Sequence, residues 1–362
     1  MLVGILPIML AGLFTVNTFD GQGDRFVKQG LFVLLSLGVF FLFSSFDYRF
    51  LRRTDIVTYL YGSSLVLLLL LFPFGQTIKG ARSWFDLGLI SFQPSDVAKI
   101  VLIIVLAKYF TRRHVEIAQF KHILVSGVYA FLPFALILLQ PDFGSAMVMF
   151  FIWFGMVFVS GISKKHVAIV FGIGAVAVLL MWTLVFAQYQ KDRIANFFNP
   201  LADVRGSGYN ANQALIAVGS GQLLGKGLGY GTQTRLNFLP EYQTDFVFAA
   251  FAEEWGFVGV LVLLIAIAIV MAQLLRAALL GATNFETLFA LGVAIFFGIH
   301  FVVNIGMNMG IMPVTGITLP FMSYGGSHLL VECAALGMVV GMSRYRRVVH
   351  RSGMQNEFLG LE

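Results

Sequence analysis

Polar residues break the chain at intervals, and between the breaks lie ten apolar stretches. They cover residues 2–16, 31–46, 56–74, 97–110, 123–139, 145–159, 167–186, 257–275, 288–307 and 329–342. A helix crossing a bilayer needs about 20 mainly apolar residues. The stretches lack the alternating polarity of barrel strands, so they predict helices, whose backbone groups are satisfied within each segment. The fold class expected is an all-α polytopic membrane protein, with ten transmembrane helices in a single integral membrane domain over residues 1–362. The first stretch has no basic residue before it and no small-residue cleavage site before Asp20. It reads as a first transmembrane helix, not a removed signal peptide. Residues 187–256, between the seventh and eighth stretches, form a loop of roughly 70 residues where about 4–6 is usual, which marks it as functional.

Composition narrows the class. Hydrophobic residues make up 58% and charged residues 12%, against about 25% charged in a soluble domain; mean hydropathy is +0.86. The single cysteine, Cys333, cannot form an internal disulfide. Alternate short loops hold Arg49, Arg52, Arg53, Lys108, Arg112, Arg113, Lys121, Lys164, Lys165, Arg276, Arg344, Arg346, Arg347 and Arg351, which is 14 of the 24 lysines and arginines. The positive-inside rule then puts both termini in the cytoplasm and turns residues 75–95, 187–256 and 308–327 outward. This topology accounts for the net charge of +6, so membrane lipid is the expected surroundings and nucleic acid is not an expected partner.

The outward segments carry the candidate chemistry. Glu241, Asp245, Glu253 and Glu254 fall within residues 237–259, and carboxylates at a membrane edge suggest a functional site. Asp245, after Thr244 and before an apolar helix, suits either a helix cap or a general base. Glu253 and Glu254 could pair with a basic residue, bind a divalent ion or mark where the helix meets water; the last is the expected role. Asp96 and Lys99, three apart after Gln93-Pro94-Ser95, share one face of a helix start. A carboxylate suits that position, but a lysine opposes the dipole and implies an anion or an ion pair. Arg82, Lys191, Arg193, Arg205, Lys226 and Arg235 stand on the cation-poor outward side, where some snorkel and others could hold phosphate. His300 and His328 read as packed histidines, and no metal-ligand spacing surrounds them. Residues 210–218 suggest a short surface helix. The glycine-rich run 219–231 departs from the P-loop pattern at Ser220 and Gly227. It reads either as a flexible loop or as bare amides approaching a diphosphate.

The matching motifs are Gly80-Ala81-Arg82-Ser83-Trp84, Gln93-Pro94-Ser95-Asp96-Val97-Ala98-Lys99, Gln140-Pro141-Asp142-Phe143-Gly144 and Asn199-Pro200. They continue with Gly206-Ser207-Gly208-Tyr209-Asn210, Phe238-Leu239-Pro240-Glu241, Thr244-Asp245-Phe246, Glu253-Glu254 and the run Pro320-Phe321-Met322-Ser323-Tyr324-Gly325-Gly326-Ser327. In this order the chain resembles the SEDS (shape, elongation, division and sporulation) family of bacterial cell-wall synthesis. The glycine signatures at residues 219–221, 225–227 and 231–233 resemble its elongation-type members. The resemblance implies a glycosyltransferase that polymerises lipid II outside the cytoplasmic membrane and releases undecaprenyl diphosphate. It also implies a class B penicillin-binding protein as transpeptidase partner. Asp245 falls on the family's proposed catalytic aspartate. Asp96, Lys99, Arg82, Lys191, Arg193, Arg205, Lys226, Glu253 and Ser323 are the candidate substrate contacts. Three positions depart from the family pattern: Gln243 stands for histidine, Asp96 for glutamate and His328 for serine.

The expected mechanism is inverting transfer to a sugar hydroxyl. A carboxylate takes the hydroxyl proton, and cations or a divalent ion, Mg2+ or Mn2+, neutralise the leaving diphosphate. No residue is assigned as a metal ligand. Two rivals remain: a lipid II flippase, and a non-catalytic scaffold for the transpeptidase. A flippase needs polar groups spread through the bilayer, whereas here they gather on the outward side.

Overall fold

The computed structural model describes residues 1–19, 24–78, 80–86, 88, 91–113, 120–161, 164–184, 186, 188–199 and 206–359. The helices are α1 (Leu2–Phe19), α2 (Asp24–Ser45), α3 (Thr54–Phe74), α4 (Pro94–Arg113), α5 (Phe120–Leu139), α6 (Phe143–Val159) and α7 (Lys164–Leu184). Next come the shorter α8 (Gln188–Phe198), α9 (Ser207–Ser220) and α10 (Thr232–Arg235), then α11 (Val247–Leu279), α12 (Asn284–Asn308) and α13 (Gly326–Leu359). Every apolar stretch overlaps one of the long helices. Among the described residues α2, α3, α5, α11, α12 and Gly326–Arg344 of α13 are long and apolar enough to cross a membrane, and α1 and α6 are shorter apolar helices. The chain is a polytopic helical membrane protein.

Helix α4 forms the axis of the bundle. Residues 98–107 are buried without interruption; all but Lys99 are apolar, as expected of a helix buried on every side. It packs against α3, α5, α6 and α12; α13 lies along α2, and α1 along α11. The two ends of α4 differ. Lys108 donates to the carbonyls of Leu51 and Arg52, Arg112 Nη2 donates to Thr54 Oγ1 at 2.6 Å, and Arg52 lies 3.8 Å from Glu286. The rise of a helix places this basic end about 18 Å from Asp96.

The Asp96 end gathers the long connections. Strands β1 (Gln76–Ile78), β2 (Ala81–Asp86) and β3 (Ser91–Phe92) form a small antiparallel sheet in the order β1-β2-β3, an addition to the all-helical expectation. Helix α9 includes the short surface helix expected over 210–218: Leu215 and Ile216 are exposed, and the opposite face is buried. Its Ala214 and Ala217 are fully buried in a satellite core with Leu239, Tyr242, Phe246, Ala249 and Ala250.

Helix α11 starts at Val247, ten residues before the apolar stretch begins, and is broken at Gly256 (φ 63°, ψ −166°). The break receives the glycine-rich run. Lys226 N and Gly227 N donate to the carbonyls of Glu253 and Glu254, while Phe257 N and Val258 N donate to those of Gln222 and Leu223. A Cβ on Gly225 (φ +79°) would lie 2.0 Å from Glu254 O, and one on Gly256 would lie 2.1 Å from Gly225 N. These glycines permit a backbone contact that no side chain could survive. The run is neither a flexible loop nor a set of free amides, because the amides of Lys226, Gly227 and Gly229 are committed to α11.

Candidate active site

A cavity of about 670 Å³ opens at the end that carries the sheet. That size is typical of a ligand site. Asp245, Asp96, Lys99 and Arg193, four of the sequence candidates, line it together. Lys28, Glu241 and Asp142 join them, so both signs of charge face one space.

The Asp245 backbone is held from two sides. Its carbonyl accepts from Asn304 Nδ2 at 3.0 Å and Asn308 Nδ2 at 3.1 Å, both on α12, and Asn308 Oδ1 accepts from Ala249 N at 3.2 Å. The preceding carbonyls go to the segment before α13. Ser323 Oγ donates to Thr244 O at 2.7 Å, and Tyr324 N donates to Gln243 O at 2.7 Å. The N-cap of α11 is Phe246, without a side-chain cap bond, so Asp245 does not stand at the capping position that one sequence reading gave it. A Cβ on Gly316 (φ +77°) would lie 3.6 Å from Asp245 Oδ2 and 4.0 Å from Arg193 Nη1, so this bare backbone lies beside both groups.

Lys99 Nζ and Asp96 Oδ1 form a 3.0 Å ion pair in which both residues are buried. Asp96 Oδ2 has no hydrogen-bond partner among the described residues. His300 and His328, read as packed from sequence, also line the cavity. Each places one ring nitrogen 3.2 Å from a carbonyl, Thr318 O and Ser323 O respectively. The motifs around the pair interlock. Gln93 N donates to Ser327 Oγ at 3.1 Å, and Gln93 Nε2 donates to Asp142 Oδ2 at 3.2 Å. Asp142 Oδ1 caps α6 at Ser145 N.

The other candidates lie elsewhere. Arg82 Nη1 donates to Phe72 O at 2.7 Å, and neither it nor Lys191 lines the cavity. Arg205 falls outside the described residues. Ser323 is fully buried and spends its hydroxyl on Leu319 N and Thr244 O, a backbone clamp. Glu253 and Lys226 pair with each other at 2.8 Å, away from the cavity lining. Glu253 Oε1 also accepts from Gln233 N, Thr232 Oγ1 and Ser220 Oγ, and Oε2 accepts from Thr234 Oγ1. Glu254 is 2% exposed and accepts from Gly229 N at 2.8 Å. These two carboxylates therefore do not mark where the helix meets water; they fasten the outer segment to α11. Among the described residues no three His, Cys, Asp or Glu side chains converge into a metal site.

Lys28 was missed in the sequence because it stands at the start of a helix among ordinary flanking charges. The fold alone brings it to the cavity.

The family model for FtsW/RodA/SpoVE cell cycle proteins matches residues 1–348. The peptidoglycan glycosyltransferase MrdB of Escherichia coli K12 is 37% identical over 294 residues, 81% of this chain and 79% of its own. A probable peptidoglycan glycosyltransferase FtsW of Nitrosococcus halophilus is 37% identical over 359 residues, 97% of this chain and 92% of its own. Among solved structures, a peptidoglycan synthase complex has a matching chain at TM-score 0.80 and 33% identity, covering 95% of this chain and 96% of that one. Thermus thermophilus RodA matches at TM-score 0.71 and 32% identity, with 95% of each chain covered. With a match along nearly its whole length and the motifs gathered at one end of the bundle, the chain belongs to the FtsW/RodA/SpoVE family of cell cycle proteins.

Proposed function

We propose that the chain is a peptidoglycan glycosyltransferase that polymerises lipid II by inverting transfer, with Asp245 as general base. The observation that carries this reading is the Asp245 carboxylate in a cavity shared with Arg193 and the Asp96–Lys99 pair. A sugar hydroxyl is a weak nucleophile, and a carboxylate held by its own backbone can take the proton as attack proceeds. The departing undecaprenyl diphosphate leaves as an anion and needs no proton, only cations. Among the described residues Arg193, Lys28 and Lys99 are the lysine and arginine side chains that line the cavity, and arginine is suited to bidentate phosphate contact. A divalent cation, Mg2+ or Mn2+, belongs to this proposal only as a companion of the diphosphate, since magnesium is commonly held by one or two carboxylates plus substrate phosphates. The assignment is supported by the similarity to relatives named as glycosyltransferases.

The orientation proposed puts the cavity on the outer face of the bacterial cytoplasmic membrane, with both termini inside. It is supported by the basic end of α4, which lies opposite the cavity. The partner proposed is a class B penicillin-binding protein. Support comes from the solved relative described as coordinating polymerization and crosslinking within a synthase complex.

The test uses purified protein with its transpeptidase partner and labelled lipid II in detergent, where there are no two sides to flip between. Wild type forms glycan chains, and Asp245→Asn loses about 10²–10⁴-fold in rate with unchanged thermal midpoint and partner binding. Near wild-type polymerisation by Asp245→Asn removes Asp245 from the chemistry. Absence of chains from wild type removes the polymerase reading and leaves flippase or scaffold.

A further inference from the structure

One buried carboxylate is unused by the mechanism. Glu332 sits in α13, four residues after His328 and therefore on the same face. It is 1% exposed, within a helix that reads as spanning the membrane. Its Oε2 accepts from Phe321 N at 2.9 Å, and its Oε1 has no hydrogen-bond partner among the described residues. The Asp96–Lys99 pair lies within electrostatic reach of it. A carboxylate in this place is costly, and an apolar side chain of similar volume generally serves stability as well or better. Packing alone therefore gives no reason for an acid here.

The residue it binds does. Phe321 has φ +63°, the left-handed region that a bulky side chain rarely enters. The turn buries its ring completely, 5.0 Å from the Phe297 ring, and directs its amide at Glu332. Ser323 and Tyr324, just beyond this turn, donate to the carbonyls of Thr244 and Gln243. His328, one helical turn before Glu332, reaches Ser323 O. A continuous path thus runs from Glu332 through a strained turn to the two residues before Asp245. We propose that Glu332 is a positioning residue: by accepting the Phe321 amide it fixes the left-handed turn that holds the Gln243 and Thr244 carbonyls, and so sets the place of the Asp245 carboxylate in the cavity. The inference deepens the reading of Asp245 as general base and rests on it.

Two variants of the full chain, studied with its partner, test it. Glu332→Gln keeps an oxygen acceptor for Phe321 N; Glu332→Leu removes it and leaves an apolar side chain. Three readouts are taken: thermal midpoint, hydrogen exchange of the amides of residues 321–324 and 243–249, and steady-state polymerisation of lipid II. Glu332→Leu should lower the midpoint only modestly, since the stranded Phe321 amide is partly offset by removal of a buried carboxylate, while it speeds exchange in both segments and lowers kcat per folded molecule by about 10²-fold, the scale set by an ångström of misplacement, with KM nearly constant. Glu332→Gln should restore exchange and kcat together. A purely structural role instead leaves kcat per folded molecule unchanged, with activity lost only as the folded fraction falls, and that result overturns the proposal. Unchanged exchange in Glu332→Leu also overturns it and leaves the role of Asp245 untouched. If exchange quickens while both Glu332→Leu and Asp245→Asn polymerise at the wild-type rate, the reading of Asp245 fails, and the positioning role falls with it.

Discussion

Replacing Glu253 should cost stability before it costs chemistry. The side chain is fully buried and accepts from Lys226, Gln233, Thr232, Ser220 and Thr234. Glu253→Leu strands these donors and leaves Lys226, which is 27% exposed at its side chain, to seek water. Breaking a buried ion pair typically costs about 3–5 kcal/mol. The lower end applies here, because the lysine can reach solvent and the hydroxyls can turn away. Lys226→Met is the milder change: Glu253 keeps four other donors, and one charge-assisted bond is worth about 1.5–3 kcal/mol. The order expected is therefore Glu253→Leu worse than Lys226→Met, with Glu253→Gln between them or close to the latter. Thermal midpoints in detergent measure the order, and hydrogen exchange over residues 221–236 locates the loss. Polymerisation per folded molecule should change little, since neither residue lines the cavity. If Glu253→Gln keeps its midpoint and its exchange protection yet abolishes polymerisation, the structural account is wrong and Glu253 contacts substrate.

The Asp96–Lys99 pair should behave oppositely to a surface pair: Lys99→Met or Asp96→Ala alone should destabilise by about 3–5 kcal/mol, and the double variant should recover much of it. A double-mutant cycle on unfolding with coupling below about 0.5 kcal/mol refutes the pairing. Gly225→Ala should lower the thermal midpoint sharply, because its Cβ would lie 2.0 Å from Glu254 O. An unchanged midpoint would mean that the kink of α11 is not locked as described. A reporter inserted near Gly221 should be external and tags at both termini cytoplasmic; an external C-terminus reverses the proposed orientation.

The helices were legible because a bilayer imposes a length and a polarity on each of them. The boundaries most in error tell why legibility ends. Glu253 and Glu254 ended the apolar pattern and moved the expected start of the eighth helix to residue 257, whereas α11 begins at Val247. Those carboxylates are affordable inside a helix only because Lys226, Gln233 and Gly229 come from a distant loop to satisfy them. No local pattern encodes that. Asp245, Asp96 and Lys99 were singled out by type and position, and their meeting in one cavity follows from packing. Lys28 and Glu332 carried no signal, since one resembles a flanking charge and the other an ordinary polar interruption of an apolar run. The glycine run suggested either a flexible loop or bare amides facing a diphosphate, whereas the structure uses it for close backbone packing against α11.

The clamp around Asp245 also explains a departure in the sequence. Where the family resemblance leads one to look for histidine, this chain has Gln243, yet what residue 243 contributes to the clamp is its main-chain carbonyl, held by Tyr324 N. Thr244 likewise lends a carbonyl to Ser323, and Asp245 lends one to two asparagines. Every residue type carries that oxygen. The clamp therefore makes no use of the side chain at 243, whereas on the donating side it uses the side chains of Ser323, Asn304 and Asn308. The constraint on the aspartate is written in its partners on other segments, more than in its immediate neighbours.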